Sequence, residues 1–349
     1  MSETDHLQCT DDDSAKGNSA DDDLSVAPAV AAEQPDRGRH ADRPSEVPPK
    51  GWKDVAVRVR SEAKDDHVPL LAAGVSFYAL LAVGPALAAL ISLYGLIADP
   101  DKIRGELVDA LAAAPREVRE LLIVQMETIA QASKGQGLLV AILGLVIALW
   151  SASAGVGHLM EALNVAYDEQ DGRGFLRRRV LALAFTLGAV LFAAVSLGGI
   201  TLLPGFVADL GLSGIARWLI GAVRWLGLFA GMVTALSVLY RHGPDRDVPR
   251  WKWASPGAFF AATLWIVGSF GLSLYTANFA KYDETYGVLG AVVVVMLWVY
   301  VTAVAIVLGA ELNAELERQT LNDTTVGPSR PLGARGAYAA DTVGQSAGE

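Results

Sequence analysis

The chain has 349 residues, 52% of them hydrophobic, and a formal net charge of −10, with a mean hydropathy of +0.35. Those statistics exclude an ordinary soluble domain, because a very polar terminus dilutes a remainder that is more apolar still. The charge is just as local: residues 1–48 hold 12 Asp/Glu against 4 Lys/Arg, leaving −2 for the rest, so acidity identifies no ligand for the apolar part.

Residues 1–48 contain no aromatic residue and carry Asp triplets at 11–13 and 21–23. Too little apolar surface is available to offset ordering, so a disordered acidic cytoplasmic tail is expected, with cation binding as the sharper alternative. The single cysteine, Cys9, allows no intrachain disulfide. The opening residues lack the basic and apolar regions of a signal peptide.

From Gly51 to Asp66, Trp52, Val55, Ala56, Val59 and Ala63 recur at helical spacing, with Lys53, Arg58, Arg60 and Lys64 elsewhere. The pattern predicts a basic amphipathic helix lying in the membrane interface. Pro69 to Ala98 follows without a charge, longer than a bilayer core requires, so tilt or a kink near Gly84-Pro85 is expected. Between Asp99 and Gln136, Ile103, Leu107 and Leu111, then Val118 and Leu122, lie either side of Pro115. They predict two amphipathic helices that rest on the bundle or cap an opening.

The second span is Leu138 to about Gly157, and a basic hinge of Arg173 with Arg177, Arg178 and Arg179 leads to a third at Val180–Leu203. The fourth, Ile215–Tyr240, differs in containing Arg217 and Arg224, and it carries Gly227 and Gly231 at a spacing that lets a second helix approach. Ala254–Ala280 and Gly287–Ala310 are free of charge and joined by six residues, so they form an antiparallel hairpin of two spans. The expected fold is an all-α integral membrane protein with six transmembrane helices and interfacial amphipathic helices. Residues 49–318 form the membrane domain and 319–349 a second disordered cytoplasmic tail.

Lys and Arg set the orientation. Segments 50–68, 161–179, 241–254 and 313–349 hold 16 of them, against 6 in the opposite connections. Excess basic residues mark the cytoplasmic face, so both termini are expected there.

Ionisable groups inside spans are costly and therefore candidates for function. Arg224 reads either as part of a Trp/Arg interfacial belt with snorkelling side chains or as a cationic site for an anionic headgroup or solute. Glu311 and Asn313 stand where the sixth span leaves the bilayer. A carboxylate is unfavourable at a helix C-terminus, so it implies either a continuing helix or a specific partner, with Arg177–Arg179 and Arg241 at the same depth. His158, Glu161 and Asn164 share a face at the end of the second helix, a weak metal signal against a solvated helix end. Asn278, Tyr282 and Tyr286 frame the hairpin tip, where tyrosine commonly anchors. The five histidines are scattered, and no HExxH, Walker A, GxSxG or dinucleotide motif is present, so no cofactor, catalytic metal or nucleic-acid partner is expected.

The segments AGVSFYALL (73–81), SLYTANFAKYDETYG (273–287) and YGVLGAVVVVMLWVYVTAVAIVLGAELNAELER (286–318) resemble the YihY/virulence factor BrkB family, also called ribonuclease BN-like. The resemblance implies a polytopic bacterial inner-membrane protein and makes Glu311 and Asn313 motif positions. The expected function is translocation of an amphipathic or anionic substrate, lipids included, without nucleotide hydrolysis, with substrate contacts at Arg224, Glu311, Asn313, Asn278, Tyr286 and Asn164. The alternative is a membrane scaffold that moves nothing, and a ribonuclease stands a distant third. A polar mid-membrane cavity would favour transport and a dry, close-packed bundle a scaffold. The lipid bilayer is the expected partner, and nothing in the chain sets its oligomeric state.

Overall fold

The structure, a computed structural model, describes residues 28–95, 138–209, 214–278 and 288–347. Helix α1 (Pro28–Ala32) and two 3-10 turns (Pro35–Arg37 and Pro44–Glu46) lead to α2 (Pro49–Asp65) and α3 (Val68–Gly95). The rest of the bundle is α4 (Leu138–Ala166), α5 (Phe175–Asp209), α6 (Gly214–His242), α7 (Trp251–Asn278) and α8 (Val288–Glu317), and a short α9 (Tyr338–Asp341) lies near the C-terminus. No strand occurs among the described residues, only one bridge between Pro249 and Thr325.

Five of these helices, α4 to α8, are long and apolar enough to cross a membrane. Helix α3 adds an apolar stretch, Val68–Ala82, and continues as helix through Pro85 to Gly95. A helix satisfies every backbone polar group within itself, which is what a hydrocarbon environment demands of such sequences. The outward faces agree: Leu70, Leu81, Ile147, Val195, Trp218 and Val267 are exposed, a surface suited to lipid and not to water.

The most extensive packing joins α3 to α4 and α7 to α8, with α3 also against α8 and α6 against α7. Two glycines set the α7–α8 crossing: a Cβ on Gly257 would overlap the Gly309 carbonyl oxygen, and one on Gly309 would overlap the Tyr240 hydroxyl. No larger residue allows that approach. Of the two glycines noted on α6, Gly231 lies against the Phe192 ring of α5, whereas nothing lies within 4 Å of a Cβ at Gly227.

One end of the bundle is capped. There the α4–α5 and α6–α7 connections, the C-terminus of α8, helix α2 and residues 319–347 converge. The principal core cluster lies beneath this cap, from Val68, Ala72, Val75, Leu163, Tyr240 and Val307 among others.

Residues 28–48 and 319–347, expected to belong to disordered tails, are ordered in this cap. Residues 319–347 are folded, with Gln319, Thr320, Thr324 and Thr325 buried. Hydrogen bonds hold them, beside the buried Ala337, Ala339, Ala340 and Val343. Arg335 donates to the carbonyls of Ala340 at 2.6 Å and Leu321 at 2.7 Å, while Asp341 accepts the Gly333 amide at 2.7 Å. Residues 28–48 join the same layer: Arg39 is fully buried and its carbonyl accepts the Leu321 amide at 2.7 Å.

Helix α2 forms as expected but does not simply float in the interface. Its Arg58 is buried against α8 and its Trp52 is half exposed. Helix α5 continues past Pro204 to Asp209, and α8 continues past Ala310 to Glu317, so the carboxylate at Glu311 belongs to a helix that has not yet ended. The expected amphipathic pair in 99–136 and the hairpin connection at 279–287 lie outside the described residues.

Candidate functional site

Two features could carry function: an apolar cavity within the bundle and the charged layer at its capped end. The cavity, about 390 Å³, lies among α3, α4, α5 and α8. Val75 and Ala82, Ala152 and Val156, Val190, and Val299 contribute from the four helices in turn. Among the described residues its hydroxyls, Thr186 and Thr302, are spent on backbone. Thr186 donates to the Ala182 carbonyl at 2.7 Å, and Thr302 donates to the Trp298 carbonyl at 2.8 Å while accepting from Trp265 Nε1 at 3.0 Å. The walls therefore offer an occupant volume and dispersion but no free hydrogen bond, within the size range of ligand pockets. The polar mid-membrane cavity that would have marked a route for a hydrophilic solute is not what lies between these four helices.

At the capped end the charges of α8 meet α2. Arg58 pairs with the Glu315 carboxylate and donates to the Gln319 side chain at 2.8 Å and the Gln345 carbonyl at 2.6 Å. Arg318 reaches Glu62 and Glu315, each at 2.7 Å. Burial, with Glu315 nearby, raises the Glu62 carboxyl above its usual range. Burial opposes the Arg318 cation, but Glu315 and Glu62 outweigh it and hold its pKa above the ordinary arginine value. In the α4–α5 connection, burial pushes Glu169 up to about 7, although the carboxylate accepts the Tyr338 amide at 2.8 Å.

Three of the residues singled out from sequence sit in or beside this layer. Glu311 is buried, with Oε1 lacking a hydrogen-bond partner. Its neighbours are the carboxyls of Asp66, Glu315 and Glu62, not the arginines of the α4–α5 hinge or Arg241, which lies 4.3 Å from the Trp251 ring. Asn313 spends its amide on α7, accepting from the Gly257 amide at 2.7 Å and donating to the Ala254 carbonyl at 3.0 Å. Asn164 accepts the Asp245 amide at 2.8 Å and so ties α4 to the α6–α7 connection.

Arg224 lies apart from the three, half-buried on α6, where it donates to the Ile200 carbonyl of α5 at 3.3 Å and approaches the Trp225 ring at 5.3 Å. Asn278 ends α7, and Tyr286, like Tyr282, lies outside the described residues. His158 stacks on Tyr78 at 3.7 Å and bonds Glu161 at 2.8 Å, and Glu161 in turn pairs with Arg178. Among the described residues no group of three His, Cys, Asp or Glu could hold a metal ion.

Sequence reasoning missed the partners that lie far along the chain. Arg246 pairs with Glu317, and Gly257 meets Gly309. Only the small residues in otherwise bulky spans signalled the second contact.

The family model described as Virulence factor BrkB matches residues 59–332. The ribonuclease-like protein YfkH of Bacillus subtilis (strain 168) is 33% identical over 184 residues, covering 50% of this chain and 65% of the relative. A UPF0761 membrane protein of Verminephrobacter eiseniae (strain EF01-2) is 28% identical over 276 residues, covering 76% and 62%. Another, of Rhodospirillum centenum (strain ATCC 51521 / SW), is 27% identical over 272 residues, covering 76% and 58%. The chain thus spans less than two thirds of the length of these relatives. No solved structure matches it.

Proposed function

The chain is a membrane protein that belongs to the virulence factor BrkB family, and from that premise we propose that it moves an amphipathic, anionic lipid-like substrate across the bacterial inner membrane. The observation that carries this reading is the apolar cavity, which suits an acyl chain and offers a hydrophilic solute nothing. The charge at Arg224 supplies an attraction for the substrate's anionic end away from the cap, with Glu311 standing at the cap. Asn164 and Asn313 contribute by holding the helices that bound the path. Asn278, which ends α7, and Tyr286 keep in this reading the substrate contacts expected from the sequence. The excess of Lys and Arg in the capped segments supports placing both termini in the cytoplasm.

A second reading, a scaffold that transports nothing, draws on the tightly paired cap, where Arg58, Glu62, Glu315 and Arg318 interlock. The two separate in proteoliposomes carrying a head-labelled phospholipid and a membrane-impermeant quencher. Transport predicts that wild-type protein exposes inner-leaflet label without ATP and that Val299→Trp, which fills the cavity, slows this severalfold. Label that stays protected in both samples leaves the scaffold.

A further inference from the structure

Arg179 stands four residues into α5, and its side chain does not turn toward the capped surface. Its neighbour Arg178 does turn that way, to Glu161 and Asp171. Arg179 instead donates from Nη2 to the carbonyl of Trp150 at 2.6 Å, with its guanidinium carbon 4.5 Å from the centre of the Trp150 ring. Trp150 precedes Glu161 on α4 by 11 residues, about 16 Å of helix. The two adjacent arginines therefore diverge, and Arg179 runs inward along the bundle. Long basic side chains near helix ends ordinarily do the reverse and carry their charge out to water.

That inward charge has no carboxylate partner among the described residues. Among the described residues Arg179 forms no ion pair, its buried Nε lacks a hydrogen-bond partner, and the Trp150 carbonyl is its one acceptor. Of its neighbours, Arg173 is occupied by Asp171 and Arg177 is exposed. A guanidinium offers five donors in a planar fork matched to phosphate, and most of this fork is unused.

The position also faces the cavity. Thr186, Val190 and Ala193 on α5 line it and lie 7, 11 and 14 residues beyond Arg179, which places all four on one helix face. On α4 the lining residues Ala152, Val156 and Leu159 lie on the face turned away from Trp150, whose ring is exposed on the outside of the bundle. Exposed Val146, Ile147, Leu176 and Val180 flank the pair, so the charge opens toward lipid and away from bulk water.

We propose that Arg179, backed by Trp150, binds the phosphodiester of a glycerophospholipid whose acyl chain occupies the apolar cavity. This rests on the transport reading above and gives it a second cationic station. Arg224 is the counterpart: it too is half-buried, approaches a tryptophan, holds a single backbone carbonyl and forms no ion pair among the described residues. Its acceptor, Ile200, lies 21 residues along α5 from Arg179, a rise of about 30 Å, close to the thickness of a hydrocarbon core. The two arginines thus stand one to each leaflet, Arg179 near the start of α5 and Arg224 on α6 against the far part of α5. A phosphate leaving one station meets a like partner at the other.

The test uses the full chain, purified in detergent and titrated calorimetrically with dioctanoyl phosphatidylglycerol, with dioctanoylglycerol, which has the same chains and no phosphate, and with inorganic phosphate. Phosphatidylglycerol is expected to bind about ten- to hundredfold more tightly than dioctanoylglycerol, the range of a charged hydrogen-bonded contact, and inorganic phosphate not to displace it. Arg179→Gln should bring the two lipids to equal affinity, Arg179→Lys should restore part of the difference, and Arg177→Gln should leave it whole. Equal affinities in the wild type overturn the proposal without any variant, as does displacement by phosphate alone or an unchanged lipid preference in Arg179→Gln. Lipid binding that depends on Arg179 in a protein that moves no label in vesicles keeps this site and removes the transport reading. Label movement with no lipid preference does the opposite.

Discussion

Arg246, in the α6–α7 connection, donates from Nη2 to both carboxylate oxygens of Glu317 at the end of α8, at 2.7 and 2.8 Å, and neither side chain reaches solvent. The carboxylate also accepts the Thr324 hydroxyl at 2.7 Å, and the guanidinium lies 4.6 Å from the Tyr167 ring. One pair thus fastens the ends of four segments. Removing one partner strands a buried charge, so Arg246→Ala should cost about 3–5 kcal/mol. The pair is imperfectly satisfied, since Nε and Nη1 of Arg246 have no partner. Replacing both members with apolar residues should therefore recover most of the loss. Thermal unfolding in detergent of Arg246→Ala and of Arg246→Met with Glu317→Leu checks this; a double variant no better than the single one would show that the charge itself is required.

The α7–α8 crossing makes a sharper demand, because it depends on absent atoms. Gly257→Ala places a methyl into the Gly309 carbonyl and the Asn313 amide, and backbone cannot yield as a flexible side chain would, so a loss of about 1–3 kcal/mol is expected. Gly271→Ala, in the same helix with nothing within 4 Å, is the control and should be neutral or slightly stabilising. Comparing the melting temperatures of the two variants decides the matter, and equal values would mean that the helices separate at no cost.

How far the sequence foretold this fold depended on the kind of force involved. The spans were legible because lipid leaves a chain of charge-free apolar residues with no choice but helix; α7 and α8 begin and end within a few residues of the expected limits, apart from the continuation of α8 through Glu311. The cap was not legible. Arg335, Asp341 and Gln319 sit in a stretch of glycine, alanine and threonine with no hydrophobic period, and their order arises from hydrogen bonds to backbone groups that no pattern announces. The proposed site was half legible: Arg224 drew attention as a charge within a span, whereas Arg179 sat among basic residues that topology already explained. Its inward course depends on where Trp150 falls on the next helix, which is a fact of packing.

Ending the chain after Arg318 should destabilise the bundle itself, not just shorten it. Arg58 would lose the Gln319 side chain and the Gln345 carbonyl, and Arg39 would lose the Ser346 hydroxyl. Buried donors left without acceptors cost about 1–3 kcal/mol each. Fluorescence-detected size exclusion after graded heating should show earlier loss of the monodisperse peak, and a truncated chain that melts with the full one would make the cap an ornament.

The proposed orientation rests on the capped segments holding most of the Lys and Arg. In a Cys9→Ser background, a cysteine at Gly214, exposed at the start of α6, should react with membrane-impermeant thiol reagents in intact cells. One at Ser329, exposed within the cap, should react only after lysis. The reverse pattern places the cap outside and removes the basis for cytoplasmic termini.

The last expectation concerns pH, and it turns on Glu169. Its carboxylate accepts the Tyr338 amide at 2.8 Å at the start of α9, yet burial raises its pKa to about 7, with Asp245 and Glu317 adding to the rise and Arg246 opposing it. A carboxyl whose pKa is higher in the folded state than its ordinary value near 4.5 favours folding most while it is protonated in both states. That contribution is whole below about pH 4.5 and is lost as the pH rises through about 7. Docking of α9 on the α4–α5 connection should therefore loosen between pH 5 and 8, a direction opposite to that of an ion-paired carboxylate. Hydrogen exchange at the amides of residues 338–342 should quicken across that range beyond the intrinsic base catalysis. Glu169→Gln keeps an acceptor for the Tyr338 amide and cannot ionise, so exchange in that variant should follow the intrinsic rate alone. If wild type and Glu169→Gln show the same pH dependence, the carboxyl does not titrate where its surroundings place it, and the cap is held without reference to it.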